Sequence, residues 1–172
     1  MATPKSYKLR IKEKMAKAAV NFSKDNEYYT PKEIVSRFGQ FEYDPATTPE
    51  KAAEFGVKEF DTIETDGLTK DWTKYRRIWC NPPFTNKHEF LKKACETYRQ
   101  THADIYFLFP VEFTTTKRFH ETLGELGGVL YLPNGRIKFE SGLGKNSKSP
   151  AFGSVVFRIL DIPTILTERI EL

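Results

Sequence analysis

The sequence has few cysteines, no long apolar run and no glycine-rich phosphate motif. Only two cysteines, Cys80 and Cys95, occur in 172 residues. Cys80 falls inside an apolar run, so a disulfide framework is not expected and a reducing cytoplasm fits the chain. No apolar run approaches the length that crosses a bilayer, and no signal-peptide pattern is visible. Disulfide-stabilised secreted domains and membrane-spanning proteins are therefore disfavoured.

Motifs of metal-dependent and hydrolytic proteins are also missing. The three histidines have neither the mutual spacing nor the paired cysteines of a zinc site. Residues 142–146 contain glycines and a lysine, but the spacing of a phosphate-binding loop and the Ser or Thr after the lysine are absent. No Gly-x-Ser-x-Gly turn occurs. We therefore expect neither a metal ion nor nucleotide hydrolysis.

Aromatic residues, in contrast, are abundant. The chain contains 14 Phe and 8 Tyr, with 39% hydrophobic and 29% charged residues overall, which is typical of a soluble globular protein. Its length suits one domain with a real core and is short for two. We expect the aromatic side chains to fill the core and part of a binding cleft.

Positive charge is concentrated at the start of the chain. Residues 1–24 carry seven basic side chains and one acidic side chain, a net charge of +6, which leaves −2 for the remainder because the whole chain carries +4. Apolar residues at loose helical spacing lie within 8–21. We interpret residues 1–27 as a basic arm or helix, which is either attracted to nucleic-acid phosphates or simply solvated.

The most informative segment is 77–84, Arg-Ile-Trp-Cys-Asn-Pro-Pro-Phe. Ile78 to Cys80 predicts a buried strand, which must end near Asn81 because proline cannot donate to a sheet ladder. The residue before a proline favours extended backbone, so the pair of prolines predicts a stiff, open loop. Such a loop lies at the carboxyl end of a strand, the edge where open α/β sheets bind ligands.

This loop offers two hydrogen-bond acceptors and an aromatic ring. The chemistry that such a loop suits is methyl transfer to an exocyclic amine. The amine of adenine is a poor nucleophile because its lone pair is delocalised into the base. Acceptors on both N–H groups, here the Asn81 side-chain oxygen and the Pro82 carbonyl, draw the nitrogen toward tetrahedral geometry and free that pair. Phe84 can stack on the base. The alternative interpretation is a proline-rich turn that only ends a strand.

The sequence Asn-Pro-Pro-Phe resembles the Asn/Asp/Ser-Pro-Pro-aromatic motif of amino-methyltransferases. Together with Asp66-Gly67-Leu68, Trp72 and Trp79-Cys80, it is similar to the phage-type Dam family, the DNA N6-adenine methyltransferases. The resemblance spans about residues 28–160. It implies S-adenosyl-L-methionine as cofactor, double-stranded DNA as partner and a target adenine that is flipped out of the duplex. The catalytic residues that it implies are Asn81, Pro82, Pro83 and Phe84.

The resemblance also assigns residues to the cofactor site. Tyr29, Thr30 and Pro31 look like an aromatic-Thr-Pro motif that packs on the methionine end of the cofactor, although Thr30, Pro31 and Glu33 equally suit a helix start. The triplet Asp44-Pro45-Ala46 matches an Asp-Pro-Ala of the family, although a turn after a strand also explains it. The G-x-G-x-x-G turn of the general Rossmann-like pattern is absent here.

Further polar residues have two interpretations each. Asp66 is either an acceptor for the adenine amine of the cofactor or a turn residue. Arg136 is either a phosphate or base contact or a structural salt-bridge partner. Lys138, in the Gly135–Phe139 segment that also resembles the family, and Lys145 and Lys148, in a polar loop at 140–150, are further candidates for DNA contact.

Strands that alternate with helices predict one α/β domain over residues 28–172. The resemblance makes this a Rossmann-like S-adenosylmethionine-dependent methyltransferase fold, a three-layer sandwich with a mostly parallel central sheet. Helices are predicted at 31–38, 49–55, 86–100 and 114–126. Strands are predicted at 41–44, 60–63, 78–80, 104–109, 129–132, 135–139 and, as the last, 154–160.

The expected function is DNA adenine N6-methylation in the cytoplasm of a bacterial or phage-infected host cell. The same tetrapeptide occurs in cytosine N4-methyltransferases and in protein glutamine methyltransferases. The first usually have serine at the first motif position, and the glycine-poor turn disfavours the second. A third alternative is a DNA-binding module without catalytic activity that retains the fold.

Overall fold

The computed structural model describes residues 28–141 and 152–172. The predicted basic arm at 1–27, with its helix, and the candidates Lys145 and Lys148 lie outside the described residues. Four α-helices are present in the described part: α1 (Lys32–Ser36), α2 (Pro49–Phe55), α3 (Lys87–Thr101) and α4 (Lys117–Leu123). Short 3-10 turns cover Gly67–Thr69 and Val111–Thr115.

Nine strands form two sheets among the described residues. They are β1 (Tyr28–Tyr29), β2 (Tyr43–Asp44), β3 (Glu59–Phe60), β4 (Arg77–Cys80), β5 (Asp104–Pro110), β6 (Gly127–Pro133), β7 (Glu140–Ser141), β8 (Ser154–Leu160) and β9 (Ile165–Ile170). The large sheet has the order β3-β2-β4-β5-β8-β6-β9, and β1 pairs with β7 in a separate two-stranded ribbon. Four of the six pairings in the large sheet are parallel, and only those that involve β8 are antiparallel.

Apolar side chains cover both faces of the large sheet. On one face, Ile78 and Cys80 of β4 pack with α3 and α4 through residues such as Leu91 and Phe119. On the other face, Trp79 of β4 packs with residues of α1 and α2. Alternate residues of one strand therefore enter opposite cores, as the period of a β-strand requires. The predicted three-layer α/β sandwich with a mostly parallel sheet is confirmed.

The strand order creates a switch point in the middle of the sheet. From β2 the chain passes to β3 on one side and then returns to β4 on the other side of β2. The loops after β2 and β4 consequently diverge to opposite faces and leave a crevice at the carboxyl edge, where α/β sheets bind ligands. Asp44 ends β2, and Asn81 follows β4 directly, so both lie at this crevice.

Several predicted elements differ from the structure. The predicted last strand, 154–160, is followed by β9, an edge strand whose central residues are exposed and which has no apolar alternation. The strand predicted at 135–139 is wrong: residues 135–138 are irregular and lead into the short β7, which begins after the segment at Glu140–Ser141. The helix predicted at 114–126 is shortened to α4 because a 3-10 turn precedes it.

Two helices begin without the side-chain caps that their sequences offer. At α3, Asn86 occupies the cap position without a side-chain hydrogen bond. At α1, the cap position belongs to Pro31, and Thr30 uses its hydroxyl elsewhere. In contrast, α2 is capped as its sequence suggests, since Thr48 accepts from the Lys51 N–H and Gly56 ends the helix in the left-handed region.

Both cysteines are free and buried. Burial raises the pKa of the Cys80 thiol well above its usual range and that of Cys95 to about 12, so both remain protonated and unreactive near neutral pH. Within residues 28–141 and 152–172, none of the helices has the length and apolar character that a bilayer span requires.

Candidate active site

The Asn-Pro-Pro-Phe loop leaves β4 at the crevice and turns sharply into α3. The Asn86 N–H donates to the Pro83 carbonyl at 2.9 Å, so the turn closes on the second proline and not on Pro82. The Lys87 ammonium donates to the Phe84 carbonyl at 2.7 Å. These two hydrogen bonds hold the end of the loop against the start of α3. Burial lowers the pKa of the Lys87 ammonium.

The side-chain amide of Asn81 is oriented by two hydrogen bonds, one to β1 and one to the residue that follows this strand. Its Nδ2 group donates to the Tyr28 carbonyl at 2.9 Å and to the Thr30 hydroxyl at 3.0 Å. A backbone carbonyl can only accept, so the nitrogen of the amide must face Tyr28. Both amide hydrogens are thereby used, and the Asn81 oxygen has no donor among the described residues.

The segment that orients Asn81 is held in place by the ribbon of β1 and β7. Tyr28 pairs with Ser141 and Tyr29 with Glu140 in antiparallel register. Glu140 in turn accepts from the Lys51 ammonium at 2.5 Å, and Lys51 also contacts Glu54 at 2.6 Å. The Lys51 side chain is 10% exposed and that of Glu140 is 48% exposed, so a half-buried ion pair attaches the ribbon to α2.

An aromatic group surrounds the ring of Phe84. The Tyr28 ring stacks on it with centroids 5.8 Å apart and planes inclined by 26°, and Phe152 meets it edge-on at 5.1 Å. Tyr28 also contacts Phe152 and the fully buried Phe139. Phe84 itself is half-buried. The loop thus presents an aromatic surface beside the Asn81 amide, and such a surface suits a planar base.

Asp44 is a buried carboxyl at the other side of the crevice. It is 1% exposed, and its Oδ1 accepts from the Ala46 N–H at 3.0 Å. Burial raises its pKa to about 7, although the bonds from Ala46 and Thr47 act in the opposite direction. No cation pairs with it within the described ranges. A cation placed next to this buried carboxyl would stabilise its ionised form.

The loop around Asp66 packs directly on the Pro45 turn. A Cβ atom on Gly67 would lie 2.1 Å from the Pro45 carbonyl oxygen, so only glycine permits this approach. Trp72 is 1% exposed and donates from its indole nitrogen to the Gly67 carbonyl at 2.8 Å. Trp72 is therefore a packing residue, and its contact positions the loop at the crevice.

Asp66 has the geometry of a turn residue. Its φ is 50°, and its carboxylate accepts from the Leu68 N–H at 3.1 Å. The side chain is nonetheless exposed and belongs to the loop that contacts Pro45. The turn interpretation therefore accounts for the bond that is present, and the cofactor contact of Asp66 stays a prediction.

Asp61 is a buried acidic residue that the sequence interpretation missed. It follows β3, is 7% exposed, and its carboxylate accepts from the Tyr43 hydroxyl at 2.5 Å. Its backbone bonds to Asp44 and Thr47, so it borders the same turn. In dinucleotide-binding units an acidic residue follows about 20 positions after the glycine-rich turn. Asp61 has a comparable position, but without the glycine motif nothing in the sequence indicates such a residue.

The basic candidates Arg136 and Lys138 are exposed and line a cleft of about 490 Å³ together with Pro31, Ile34 and Glu140. No carboxylate forms an ion pair with Arg136 within 28–141 and 152–172, so the salt-bridge alternative is not supported there. The cleft adjoins the Thr30–Pro31 segment that orients Asn81. Across the described residues, no group of three His, Cys, Asp or Glu side chains is arranged to hold a metal ion.

The structure thus brings together most of the predicted residues, and it adds others. Tyr29, Thr30 and Pro31 lie beside Asn81, whereas Asp44, Pro45, Ala46 and Asp66 lie across the switch point. Tyr28, Lys51, Glu140 and Phe152 were missed. Nothing in their local sequence marks them, because each acts through a partner that is distant along the chain.

The switch-point crevice and the Asn-Pro-Pro-Phe loop beside it fit a Rossmann-like methyltransferase fold. Sequence comparison agrees with this class: the chain belongs to the DNA N-6-adenine-methyltransferase (Dam) family, whose sequence model matches residues 18–164. The predicted family is therefore confirmed.

Two curated phage proteins are similar to the chain, and both are named DNA N-6-adenine-methyltransferase. The protein of Escherichia phage T1 is 28% identical over 146 residues, which cover 74% of this chain and 60% of that protein. The protein of Haemophilus phage HP1 (strain HP1c1) is 32% identical over 83 residues, which cover 48% of this chain and 47% of that protein. The chain thus spans less than two-thirds of the length of either relative.

Proposed function

We propose that this protein transfers a methyl group from S-adenosyl-L-methionine to the exocyclic amine of a flipped adenine in double-stranded DNA. The observation that carries the proposal is the orientation of Asn81. Its two amide hydrogens are bound to Tyr28 and Thr30, so the side chain offers only an acceptor to the crevice. Family membership and the names of the two phage relatives support the same reaction.

In this proposal Asn81 and Pro82 accept the two N–H groups of the target amine. Because the Asn81 oxygen is already oriented, little rotational freedom is lost when the amine binds, and much of the catalytic effect is due to positioning. Neither carbonyl is basic enough to keep a proton, so the proton that the amine loses passes to solvent. Asn81 is neutral and avoids the burial of a second charge beside the cofactor.

Phe84 holds the ring of the adenine against the amine acceptors. An adenine stacked in a duplex cannot reach a crevice at the sheet edge, so the base must leave the helix. The half-buried Phe84 ring provides a stacking surface for it, and Pro82 and Pro83 keep that ring on a stiff loop. Tyr28 and Phe152 support Phe84 from its other sides.

The residues across the switch point fit S-adenosyl-L-methionine. Asp44 is a buried carboxyl with no cation beside it in the described part of the chain, and the cofactor is a cation. The cofactor would be held by residues from both sides of the crevice, namely Tyr29, Thr30, Pro31, Asp44, Pro45, Ala46 and Asp66. When bound, it supplies an electrophilic methyl group on a sulfonium. Trp72 and Gly67 keep the Asp66 loop against Pro45 and so maintain the shape of this side.

DNA is proposed to lie over the cleft that Arg136 and Lys138 line together with Glu33 and Glu140. Arg136 and Lys138 are exposed there, next to the segment that orients Asn81. Each phosphate contact should contribute to the salt dependence of binding, so Arg136→Gln should reduce the slope of log affinity against log salt by about one. We place the reaction in the cytoplasm of a bacterial or phage-infected cell, where such DNA is found.

The test is mass spectrometry of nucleosides from unmethylated DNA incubated with the protein and S-adenosyl-L-methionine. We expect N6-methyldeoxyadenosine with the native protein and at least a hundredfold less with Asn81→Ala, on the scale of a lost positioning group. Asn86→Ala is the matched control, since Asn86 lies on the same loop but makes no side-chain cap bond, and it should retain activity.

Other products would change the proposal in defined ways. Methylation of cytosine N4 would keep the site and change the base. Methylated protein glutamine without methylated DNA would move the reaction to a different substrate class. A protein that binds DNA but shows no calorimetric binding of S-adenosyl-L-methionine would be a DNA-binding module. Full activity of Asn81→Ala would refute the mechanism even if the product is the expected one.

A further inference from the structure

Ser154 is a buried polar residue whose hydroxyl has no partner in the described part of the chain. It is 4% exposed, and its Oγ is wholly buried without a hydrogen bond. Leaving a buried hydroxyl unpaired costs free energy, and an alanine at this position would avoid that cost. The fold alone therefore gives no reason for a serine here.

The position of Ser154 in the sheet places it at the carboxyl edge. It is the first residue of β8 and pairs with Pro110, the last residue of β5. Because β8 runs antiparallel to β5 and β5 runs parallel to β4, the start of β8 lies at the same edge as the end of β4. Asn81 follows β4 at that edge; Ser154 lies two strand spacings across from it and two residues further toward the edge, roughly 12 Å away.

Ser154 and Asn81 also belong to the same face of the sheet. Val155 and Phe157 enter the core that contains Ile78 and Cys80, whereas Val156 enters the other core together with Trp79. Side chains alternate along a strand, so Ser154 projects on the face of Val156, and Asn81 projects on the face of Trp79. The two polar side chains therefore lie on one face, at one edge.

The chain just before Ser154 contributes to the aromatic group at the candidate base site. Phe152 contacts the Phe84 ring at 5.1 Å and the Tyr28 ring at 6.3 Å. The Gly153 carbonyl accepts from the Val111 N–H at 2.9 Å, which ties this segment to the end of β5. The backbone that carries Ser154 is thus fixed beside Phe84.

We propose that the Ser154 hydroxyl binds a ring nitrogen of the flipped adenine and so selects this base. The assignment rests on the proposed function, because it requires the adenine to stack near Phe84 with its amine at Asn81. In adenine, the amine is flanked by the ring nitrogens N1 and N7, and a hydroxyl can donate to either. The base then supplies the partner that the Ser154 hydroxyl lacks among residues 28–141 and 152–172.

The assignment predicts opposite effects on stability and on activity. Ser154→Ala should melt at or above the temperature of the native protein, since it removes an unpaired buried hydroxyl. Its kcat/KM on DNA should fall about tenfold, the usual effect of one lost hydrogen bond. Ser36→Ala is the control, because the Ser36 hydroxyl is exposed and bonds only to the Glu33 carbonyl of its own helix.

The decisive experiment removes the partner atom from the base. Duplexes that carry the methylated sequence, mapped by sequencing of the methylated DNA, are prepared with 1-deaza- or 7-deazaadenine at the target, and with 3-deazaadenine, which retains N1 and N7, as the control; all three keep the amine. With either 1-deaza- or 7-deazaadenine, the native protein should lose about tenfold in kcat/KM relative to 3-deazaadenine, whereas Ser154→Ala should methylate that analogue and the control equally. Changes in base pairing affect both proteins alike and cancel in this comparison.

The outcomes separate this assignment from the function on which it rests. If each analogue reduces kcat/KM by the same factor in both proteins, or if Ser154→Ala is as active as the native protein, Ser154 does not contact the base. If the native protein methylates no adenine, the proposed function fails and the assignment fails with it. Ser154→Cys, which keeps the shape with a weaker donor, should lie between serine and alanine in kcat/KM.

Discussion

The hydroxyl of Thr30 accepts a hydrogen bond from the amide of Asn81 at 3.0 Å, although the sequence around Thr30 has the form of a helix cap. Thr30 is 2% exposed, so solvent cannot replace this acceptor. The residue is therefore used to orient the amide of the Asn-Pro-Pro-Phe loop and not to begin α1. Its position explains why a threonine directly precedes a proline here.

The first prediction concerns this bond. Thr30→Val keeps the shape of the side chain and removes the acceptor, so the Asn81 amide loses one of its two constraints. We expect kcat to fall about tenfold with little change in the KM for DNA, because one hydrogen bond to a positioned group is lost. Steady-state kinetics would measure this. Thr30→Ser retains the hydroxyl and should keep most of the activity, and an equal loss in both variants would contradict the prediction.

The second prediction concerns the pH dependence of stability. Burial raises the pKa of Asp44 to about 7 from an ordinary value of 3.8. The folded protein therefore holds a proton that the unfolded chain releases, and the stabilisation is complete below about pH 4 and is lost as the pH rises to about 7. Asp44→Asn, which can still accept from the Ala46 N–H, should show a smaller loss of unfolding free energy across that range.

Chemical denaturation at several pH values would test the role of Asp44. Asp71→Asn is the comparison. Hydrogen bonds from Thr73 lower the pKa of this exposed carboxyl, so its contribution to the unfolding free energy is lost as the pH falls, whereas that of Asp44 is lost as the pH rises. Identical pH profiles for the native protein and Asp44→Asn would contradict the prediction. A cationic cofactor beside Asp44 should also release protons when it binds below about pH 7, which calorimetry in two buffers would detect.

The third prediction concerns the ion pair between Lys51 and Glu140. Lys51→Met leaves Glu140 without its partner and frees the β1–β7 ribbon from α2. We expect a lower melting temperature and a lower kcat, because the ribbon carries the acceptors of Asn81. Lys117→Met is the matched control, since the Lys117–Glu121 pair is 88% and 62% exposed and such surface pairs contribute little, about 0–1 kcal/mol.

A double-mutant cycle with Glu140→Gln would isolate this contact. The two single variants should each lower the melting temperature, and the double variant should lower it by less than their sum. Additive effects would show that Lys51 acts through Glu54 or through its packing on Phe55, whose ring centroid is 5.7 Å from its ammonium.

The fourth prediction concerns the contact between Gly67 and Pro45. Gly67→Ala would place a methyl group 2.1 Å from the Pro45 carbonyl oxygen, so the loop must move. We expect a loss of about 1–3 kcal/mol in unfolding free energy, the usual cost of overpacking, and weaker calorimetric binding of S-adenosyl-L-methionine. Gly135→Ala meets only the flexible end of Leu172 at 3.3 Å, and it should change neither quantity. If Gly67→Ala binds S-adenosyl-L-methionine as tightly as the native protein, this loop does not contribute to the cofactor site.

Much of the fold could be predicted because local signals agreed with the final structure. Helix α2 has its threonine cap, its initial proline and its terminal glycine, and its bounds were predicted correctly. The end of β4 at Cys80 could be predicted because the two prolines after Asn81 cannot donate to the sheet. Strand β9 could not be predicted, since an exposed edge strand needs no apolar alternation and depends on its pairing with β6.

The candidate site was predictable only where its residues share a short motif. Asn81 and Phe84 stand in one tetrapeptide, and the chemistry of that tetrapeptide is visible without a structure. Lys51 resembles any surface lysine of a helix, and Glu140 resembles any glutamate near a turn, because their relationship exists only after α2 and β7 meet. The segment Phe152-Gly153-Ser154 resembles the family, but nothing in it assigns a role to Ser154, because a buried hydroxyl without a partner among the described residues is visible only in the folded chain.

The ribbon of β1 and β7 also has a consequence for the order in which the protein matures. Tyr28 and Ser141 pair across most of the chain, and long-range pairings of this kind form late in folding. A nascent polypeptide released up to α4 already contains Asn81 and its prolines, yet the strand that secures the acceptors of Asn81 has not been synthesised. The proposed activity should therefore arise only after β7 has been synthesised and has paired with β1.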